Sequence, residues 1–317
     1  MAHGLLVTNT AGQVIVSNYT ENFHFGGFAS FIDYDGPSYT DFPTYGGPYD
    51  ALDGRIIFNY VFDAPTEPLV FIKPSDLNAF CGLIRKYNVG NSWYMEVMVT
   101  GTSTTPPTLY CFTNPEGIVG SPVENHGLIV YKNNGVDRTF DSRYLPLAII
   151  DGGLHVPPED PTNSDGLPGV TTGLPWNYAT LDHDFRSTNR YNSYSITTDV
   201  AYTDMMFAAP CLAQATWRRQ MQGYNKSCGS WAGSCQEHWS TAIWWVMYRN
   251  LQRLRNGSFD SGWGPYAAGY SFSSVAEGGG WFGGDGKSYS TGSAPYLQKS
   301  INRFDNAFLI ADSRKYS

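Results

Sequence analysis

The sequence has few charged residues and no concentration of basic ones. Charged residues make up 15% of the 317 residues, with 28 acidic against 20 basic side chains and a net charge of −8. The most basic segments, Trp217–Arg219 and Arg249–Arg255, are short. A protein that grips nucleic acid needs clustered cations to displace counterions from phosphates. The composition therefore argues against a nucleic-acid-binding protein.

Long apolar runs are also missing. The longest, Ala242–Tyr248, is far shorter than the roughly 20 residues that a helix needs to cross a bilayer. The first residues lack the basic segment, apolar stretch and small-residue cleavage site of a secretory signal. We therefore expect synthesis in a cytoplasm and no stable membrane insertion.

Cysteine is scarce and lacks the spacing of a functional site. The five cysteines form no Cys-x-x-Cys pair, and their number is odd. A disulfide framework and a zinc site both need paired spacing, so neither is expected. We predict mostly buried thiols at Cys81, Cys111, Cys211, Cys228 and Cys235.

Catalytic signatures are missing as well. Ser227–Trp231 resembles the Cys-Gly-Ser-Cys-Trp stretch of papain-like proteases, but the position of the nucleophilic cysteine is not filled, and the nearby His238 follows on the same segment. Asp182–Asp184 contains a histidine between two acids, yet neighbouring residues of a strand point to opposite faces. We therefore predict no enzyme, no catalytic, cofactor-binding or metal-ligating residue, and no cofactor.

What the chain does contain is apolar and aromatic residues with many turn formers. The hydrophobic share is 42% and the aromatic share 15%, beside 34 glycines, 19 prolines and 22 tyrosines. Short apolar runs separated by Gly, Pro, Asn and Asp are typical of antiparallel sandwiches. The chain is also long enough for two domains. The fold class predicted is therefore mainly β.

The same opening occurs twice in the sequence. His3–Val7 and His126–Val130 both have the pattern His-Gly-Leu, apolar, Val, and each precedes a polar turn with a glycine, Gly12 or Gly135. Later landmarks follow in the same order in both copies. These matched pairs are Arg55–Phe62 with Tyr194–Tyr202, Pro68–Pro74 with Asp204–Pro210, and Thr108–Phe112 with Asn306–Ala311.

The repeat predicts two tandem, related β-sandwich domains, which we call the first module (1–120) and the second module (121–317). Their junction is expected within Thr113–Asn125. The last two landmarks are much further apart in the second module than in the first. The extra residues predict an insertion at about 212–260.

The insertion is predicted to be helical. Ser234–Arg255 contains no Gly or Pro, and its apolar positions fall near helical spacing. Ser234 with Glu237 fits a capping box, and Asn256-Gly257 fits a C-terminal stop. We expect this helix to pack on the second sandwich or on a neighbouring subunit.

The aromatic residues leave two further functions open. Trp176, Trp263, Trp281, Tyr266 and Tyr270 could stack on sugars as a glycan-binding surface, or could fill cores and subunit interfaces. A glycosidase needs only two carboxylates at a suitable separation, which no sequence pattern reveals. The core and interface role is the one we favour.

The second opening resembles the first hairpin of a family of bacteriophage tail proteins. The resemblance lies in Gly127–Val130, the turn at Asn134-Gly135, and Thr139–Arg143 with its Phe-Asp-Ser-Arg. The segments Gly4–Gln13 and Phe308–Ser313 also fit, although Val14–Asn18 lacks the Phe-Asp-Ser-Arg.

The resemblance implies a minor tail, tail-tip or baseplate protein of a tailed, long-tailed phage. It implies no catalytic residues. We expect a virion component assembled in the host cytoplasm, with partners among copies of itself and neighbouring tail proteins. Because tail tips are rotationally symmetric, a homo-oligomer is expected, with three copies the favoured number. A receptor- or glycan-binding tip protein and a tail-associated glycan hydrolase are the alternatives.

Overall fold

A computed structural model describes residues 6–8, 14–17, 22–35, 55–100, 105–118, 122–132, 134–158, 191–211, 213–228, 235–277, 296–302 and 306–316. Within these ranges, the side chains of 6–17, 55, 216–246, 265, 267–277 and 296–302 are not described. The regular structure is almost entirely antiparallel β.

The strands of the first module are β1 Leu6–Thr8, β2 Val14–Ser17, β3 His24–Phe28, β4 Ser30–Asp35, β5 Arg55–Asp63, β6 Leu69–Lys73, β7 Cys81–Val89, β8 Ser92–Thr100 and β9 Thr108–Thr113. Those of the second module are β10 Ile129–Tyr131, β11 Arg138–Asp141, β12 Ile149–His155, β13 Tyr191–Ser195, β14 Met205–Ala208, β15 Gln214–Cys228, β16 Cys235–Arg255, β17 Ser258–Glu277, β18 Tyr296–Asn302 and β19 Asn306–Asp312. Short 3-10 turns occupy Pro115–Gly117, Tyr202–Asp204 and Ser313–Tyr316.

Two large sheets pack face to face, and two small hairpins accompany them. The six-stranded sheet has the order β12-β19-β14-β6-β9-β3. The main path of the nine-stranded sheet is β13-β17-β16-β7-β8-β5-β4, with β15 and β18 joined to it through β16. The hairpins are β1-β2 and β10-β11. The prediction of a mainly β fold with antiparallel sheets is confirmed.

Both modules contribute to each large sheet. In the six-stranded sheet the modules meet where Ile72 of β6 lies opposite Phe207 of β14. In the nine-stranded sheet they meet where Cys81 of β7 lies opposite Gln252 of β16. The described strands therefore do not form two tandem sandwiches. The boundary predicted between residues 120 and 121 lies outside the described residues.

The strand order is the same in both modules when it is read outward from their meeting point. In the six-stranded sheet it is β6-β9-β3 on one side and β14-β19-β12 on the other. In the nine-stranded sheet it is β7-β8-β5 and β16-β17-β13. The strand landmarks of the sequence repeat occupy equivalent places: β5 and β13, β6 and β14, β9 and β19.

The main core lies between the two sheets and mixes side chains of both modules. The rings of Phe207 and Phe259 are 5.6 Å apart, and Phe259 stacks on Phe308 at 4.2 Å. Several members of this cluster are fully buried, among them Phe58, Met95, Val97, Phe207, Phe259 and Ile310. Because burial of such side chains is the main source of stability, the modules depend on each other for their core.

The helix predicted over Ser234–Arg255 is wrong, because Cys235–Arg255 is a 21-residue strand. Two features explain the error. The segment is rich in Trp, Ile, Val, Tyr and Thr, which favour strands when they can pack on a sheet. Asn256-Gly257, taken as a helix stop, forms the two-residue turn of a hairpin, since Arg255 pairs with Ser258 and Gly257 has φ of +74°.

The described residues of the predicted insertion form long β-strands instead. We define the arm as β15, β18, residues 235–247 of β16 and residues 265–277 of β17. These strands lie in the order β18-β15-β16-β17. At about 3.3 Å per residue, the arm portions of β16 and β17 are each about 40 Å long. A register shift at Met247/Tyr248 marks where β16 enters the arm.

The prediction of buried thiols is confirmed for three cysteines. Cys81, Cys111 and Cys211 are buried and free, and burial raises the pKa of Cys111 and of Cys211 to about 12. The side chains of Cys228 and Cys235 are not described. Among the residues that the structure describes, no helix has the length and apolar character needed to cross a membrane.

Candidate interaction surfaces

A buried polar network in the second module places a serine beside a histidine. The Oγ atom of Ser261 is 3.0 Å from Nδ1 of His155, and the Nδ2 of Asn250 donates to the same Oγ at 2.9 Å. All three residues are fully buried. Burial lowers the pKa of His155 to about 4, so the ring is neutral near pH 7. This pair resembles a nucleophile with its base, but it is closed to solvent and joins β12, β16 and β17.

A carboxylate with several donors lies near this network. Asp260 is fully buried, and it accepts hydrogen bonds from the guanidinium of Arg253 at 2.9 Å and from the hydroxyls of Ser193 and Ser258. The same guanidinium lies 4.3 Å from the centre of the Phe80 ring. Since every partner is another strand residue, this cluster connects β13, β16 and β17.

The segments considered for catalysis lie mostly outside what the structure describes. Asp182–Asp184 falls in the undescribed range 159–190, and the Ser227–Trp231 segment passes from the end of β15 into undescribed residues. His3 is not described, and His126 is exposed. Within the described ranges, no three His, Cys, Asp or Glu side chains are grouped so that they could hold a metal ion.

The Asp-Ser-Arg motif forms the same arrangement at two places, Asp141–Arg143 and Asp312–Arg314, where the arginine donates hydrogen bonds to the aspartate two residues earlier. We call each arrangement a clasp. Arg143 donates from its backbone N–H and from Nε to Oδ1 of Asp141, at 3.2 and 2.9 Å, and from Nη2 to Oδ2 at 2.6 Å. Arg314 makes the matching bonds to Asp312, at 3.0, 2.9 and 2.8 Å. These bonds hold the pKa of each aspartate below its ordinary value. Each clasp ends a strand, β11 or β19.

The first clasp also attaches the β10-β11 hairpin to the first module. The backbone N–H of Asp141 donates to Nε2 of His24 at 3.2 Å, and the ring Nδ1 is 3.1 Å from the carbonyl oxygen of Asn22. The backbone N–H of Asn22 donates to the carbonyl of Thr139 at 2.9 Å. The residues that carry the tail-protein resemblance therefore attach the second module to the first.

The aromatic residues for which the sequence left open either a glycan-binding or a core role are only partly described, and one of them lies in the core. Trp263 is fully buried, and its Nε1 donates to the carbonyl of Pro158 at 2.9 Å. Tyr266 is half-buried, with the Arg249 guanidinium 5.2 Å from its ring centre. Trp176, Trp281 and the side chain of Tyr270 lie outside the described residues.

A different aromatic surface lies on β7 and β8. Tyr87 and Tyr94 are opposite each other in the ladder, and their rings stack at 5.4 Å with an angle of 15°. Arg85 lies 4.7 Å above the Tyr87 ring and forms an ion pair with Glu96 at 3.1 Å. We call these four residues the tyrosine platform. The sequence signal for this surface is the alternation of side chains to the two faces along two strands joined by a short turn. That alternation does not by itself indicate which face is exposed.

The edge strand β4 carries a second exposed apolar surface. All six of its residues are exposed, including Phe31, Ile32 and Tyr34. Phe28, just before it, is also exposed. Asp33 interrupts the apolar character and accepts a hydrogen bond from Asn59 on the neighbouring strand at 2.7 Å. Apolar side chains of this size at a sheet edge are typical of contact surfaces.

Comparison of the chain with protein-family profiles, with curated proteins and with solved structures found no match.

Proposed function

We propose that this chain is a structural, non-enzymatic component of a bacteriophage tail tip or baseplate. The observation that carries the proposal is the arm, whose long outer strand β17 has no second neighbour beyond Gly262 among the described strands. A long strand with one free side is stabilised when another chain pairs with it. Such a feature suits a subunit of an assembly.

The residues that carry the tail-protein resemblance support the same proposal. Asp141 and Arg143 form a clasp, and Asp141 also contacts His24. Their contacts are those of a structural element that fixes a hairpin to the sandwich. The histidine and serine of the polar network, His155 and Ser261, and the nearby carboxylate of Asp260 are fully buried.

In this proposal the partners are other copies of the chain and neighbouring tail proteins. The protein is assembled in the host cytoplasm and then forms part of the virion at the tip of the tail. Three copies are the expected number, because tail tips are rotationally symmetric. Neither nucleic acid nor a membrane is a partner.

Mass spectrometry of purified phage particles tests the proposal. We expect the chain among the virion proteins, at a fixed low copy number relative to the major tail protein. Antibody labelling with electron microscopy should place it at the tail end. Absence from particles that are otherwise complete would contradict the proposal.

Receptor or glycan binding at the same position is the second candidate, and the tyrosine platform favours it. The exposed edge of the stacked rings and the neighbouring Arg85 guanidinium can contact a sugar. Loss of binding to intact host cells in a Tyr87→Ala variant, with Trp93→Phe as a control on the same strand pair, would favour this function. A glycan hydrolase is the third candidate, and a zymogram on host cell wall or capsule without clearing would argue against it.

A further inference from the structure

The edges of the sheets differ in how they are protected from pairing with other chains. Natural proteins protect an open edge by covering it, shortening it, bulging it or placing charges on it. β3 is covered, because Phe25 donates to the Leu145 carbonyl and Leu147 donates to the Phe23 carbonyl, both at 2.8 Å. β13, at the opposite end of the nine-stranded sheet from β4, has only five residues.

The two remaining sandwich edges have bulges and acidic residues. β4 has a register shift between Phe31 and Asp33 and also carries Asp35. β12 has a register shift between Ile149 and Asp151. The carboxylate of Asp151 also accepts a hydrogen bond from the Thr197 backbone at 3.0 Å. Each edge of the sandwich therefore has a protecting device.

The distal edge of β17 has none of these devices. Its residues 267–276 pair with β16 on one side without a register shift, and no described strand pairs with the other side. These ten positions, AAGYSFSSVA, include no charged residue and no proline. A long regular strand without charge is the type of edge to which another strand adds.

The opposite side of the same arm offers a complementary edge. β18 pairs with residues 214–220 of β15 and leaves residues 221–228 without a second neighbour among the described strands. β15 and β18 contain Arg218, Arg219, Lys226 and Lys299 and no acidic residue. The part of β17 without a second described neighbour, residues 263–277, contains one acidic residue, Glu277 at its end, and no basic one. β15 and β18 are therefore basic, whereas the open part of β17 is uncharged except for its acidic end.

We propose that the arms of separate copies pair head to tail, so that the outer edge of β17 in one copy adds to residues 221–228 of β15 in the next. This arrangement satisfies both open edges at once, and rotational symmetry closes it into a ring. Pairing of β17 with a second β17 leaves residues 221–228 of β15 without a second neighbour. The inference rests on the proposed function for its setting in a tail tip, while the pairing itself concerns the isolated chain.

The first measurement is the mass of the purified protein by light scattering and native mass spectrometry. We expect a closed oligomer of three or more copies at micromolar concentration. A monomer overturns the proposal, whether the edge is then empty or covered by residues 159–190 or 278–295. A dimer that does not grow also overturns it, because a head-to-tail pair of open arms continues to add copies until it closes.

Neighbouring proline substitutions locate the contact. Successive N–H groups of a strand point to opposite neighbours, so one of Ser273→Pro and Ser274→Pro removes a bond to β16 and the other removes one at the open edge. The edge-facing variant should keep the thermal unfolding of the sandwich and dissociate at a concentration about tenfold higher or more, as expected for one lost hydrogen bond. Ser273→Ala and Ser274→Ala are the matched controls and should leave the oligomer unchanged.

If both proline variants keep a wild-type oligomer, the copies do not pair through this edge, and the proposal is overturned. That result leaves the tail-tip function standing, since presence of the chain in virions is measured separately. Conversely, if the ring forms in solution but the chain is missing from virions, the proposed pairing is supported and the proposed function is contradicted.

Discussion

The two modules contain the same hairpin in two lengths. In the first module β7 and β8 have nine residues each and are joined at Gly90-Asn91. In the second, β16 and β17 have 21 and 20 residues and are joined at Asn256-Gly257. Both turns have two residues and a glycine with positive φ. The short hairpin serves the shared core, whereas the long one continues beyond it into the arm.

This difference separates two roles within one repeated unit. The portion common to both hairpins contributes buried residues such as Met95, Val97 and Phe259 to the core. The additional portion pairs only with arm strands among the described residues. The longer hairpin therefore extends beyond the core, and its arm portion is the surface that we propose for contacts with other chains.

The largest effect is expected from removal of a core ring that both modules contact. Phe207→Ala deletes a fully buried side chain that packs on Phe259. The free energy of unfolding should fall by about 3–5 kcal/mol. Urea unfolding followed by fluorescence and circular dichroism should show one cooperative transition for the sandwich, in both variant and wild type. Separate transitions for the two modules would show that they do not share a core.

Mild acid should destabilise the second module's buried network. The pKa of His155 lies near 4 rather than 6.5 because of burial, so the unfolded chain binds a proton between these values that the folded chain does not. Stability should therefore fall as pH is lowered from 6.5 to 4, by up to about 3 kcal/mol. Burial also lowers the pKa of His24, which acts in the same direction.

His155→Gln is the variant that isolates this contribution. The slope of unfolding free energy against pH should be shallower in the variant over the same window, whatever its stability at neutral pH. Equal slopes in variant and wild type would show that His155 is not the group responsible. The two clasps act mainly below this window, because the pKa values of Asp141 and Asp312 are lowered from 3.8 in the folded chain and their stabilisation is lost as pH falls through that unfolded value.

Substitutions in the two clasps provide a matched pair of variants, for which we expect an intermediate loss of stability. Asp141 accepts from Arg138 as well as Arg143 and is fully buried, so Asp141→Asn should cost about 1–3 kcal/mol. Asp312→Asn should cost less, because the Arg314 side chain is 57% exposed and its ion pair is screened by water. Thermal unfolding of both variants measures the difference. A larger loss at Asp312 would reverse this ranking.

The smallest effect on stability is expected at the tyrosine platform. Tyr87 is 40% exposed, so Tyr87→Ala should change the unfolding free energy by less than about 0.5–1 kcal/mol. Any larger change in cell binding would then come from the surface itself. Chemical unfolding and cell-binding assays on the same preparation separate the two effects.

Three strands of the first module were predictable from the sequence. Arg55–Phe62, Pro68–Pro74 and Thr108–Phe112 coincide closely with β5, β6 and β9, because apolar runs bounded by turn residues have few alternatives to a strand. Tyr194–Tyr202 was displaced, since β13 is Tyr191–Ser195.

The candidate surfaces were much less predictable. The tyrosine platform depends on the register that places Tyr87 opposite Tyr94, and a sequence does not state which strands pair. The sequence left either a surface or a core role open for Trp263. Its burial, with a hydrogen bond to the Pro158 carbonyl, shows the core role. For the arm, the spacing of Trp239, Ile243 and Val246 fits a helix, and Asn256-Gly257 ends a helix as readily as it turns a hairpin.

The sequence by itself determined that the chain is rich in β-strands, and it predicted a repeated strand pattern with an insertion in the second module. These properties are local, because each depends on residue types and spacing within a short segment. Only the tertiary structure decided that the strands of the two modules lie side by side in two shared sheets and that Cys235–Arg255 is a long strand. The physical reason is that strand pairing satisfies main-chain hydrogen bonds between distant segments, and the choice of partner follows from the burial of a common core.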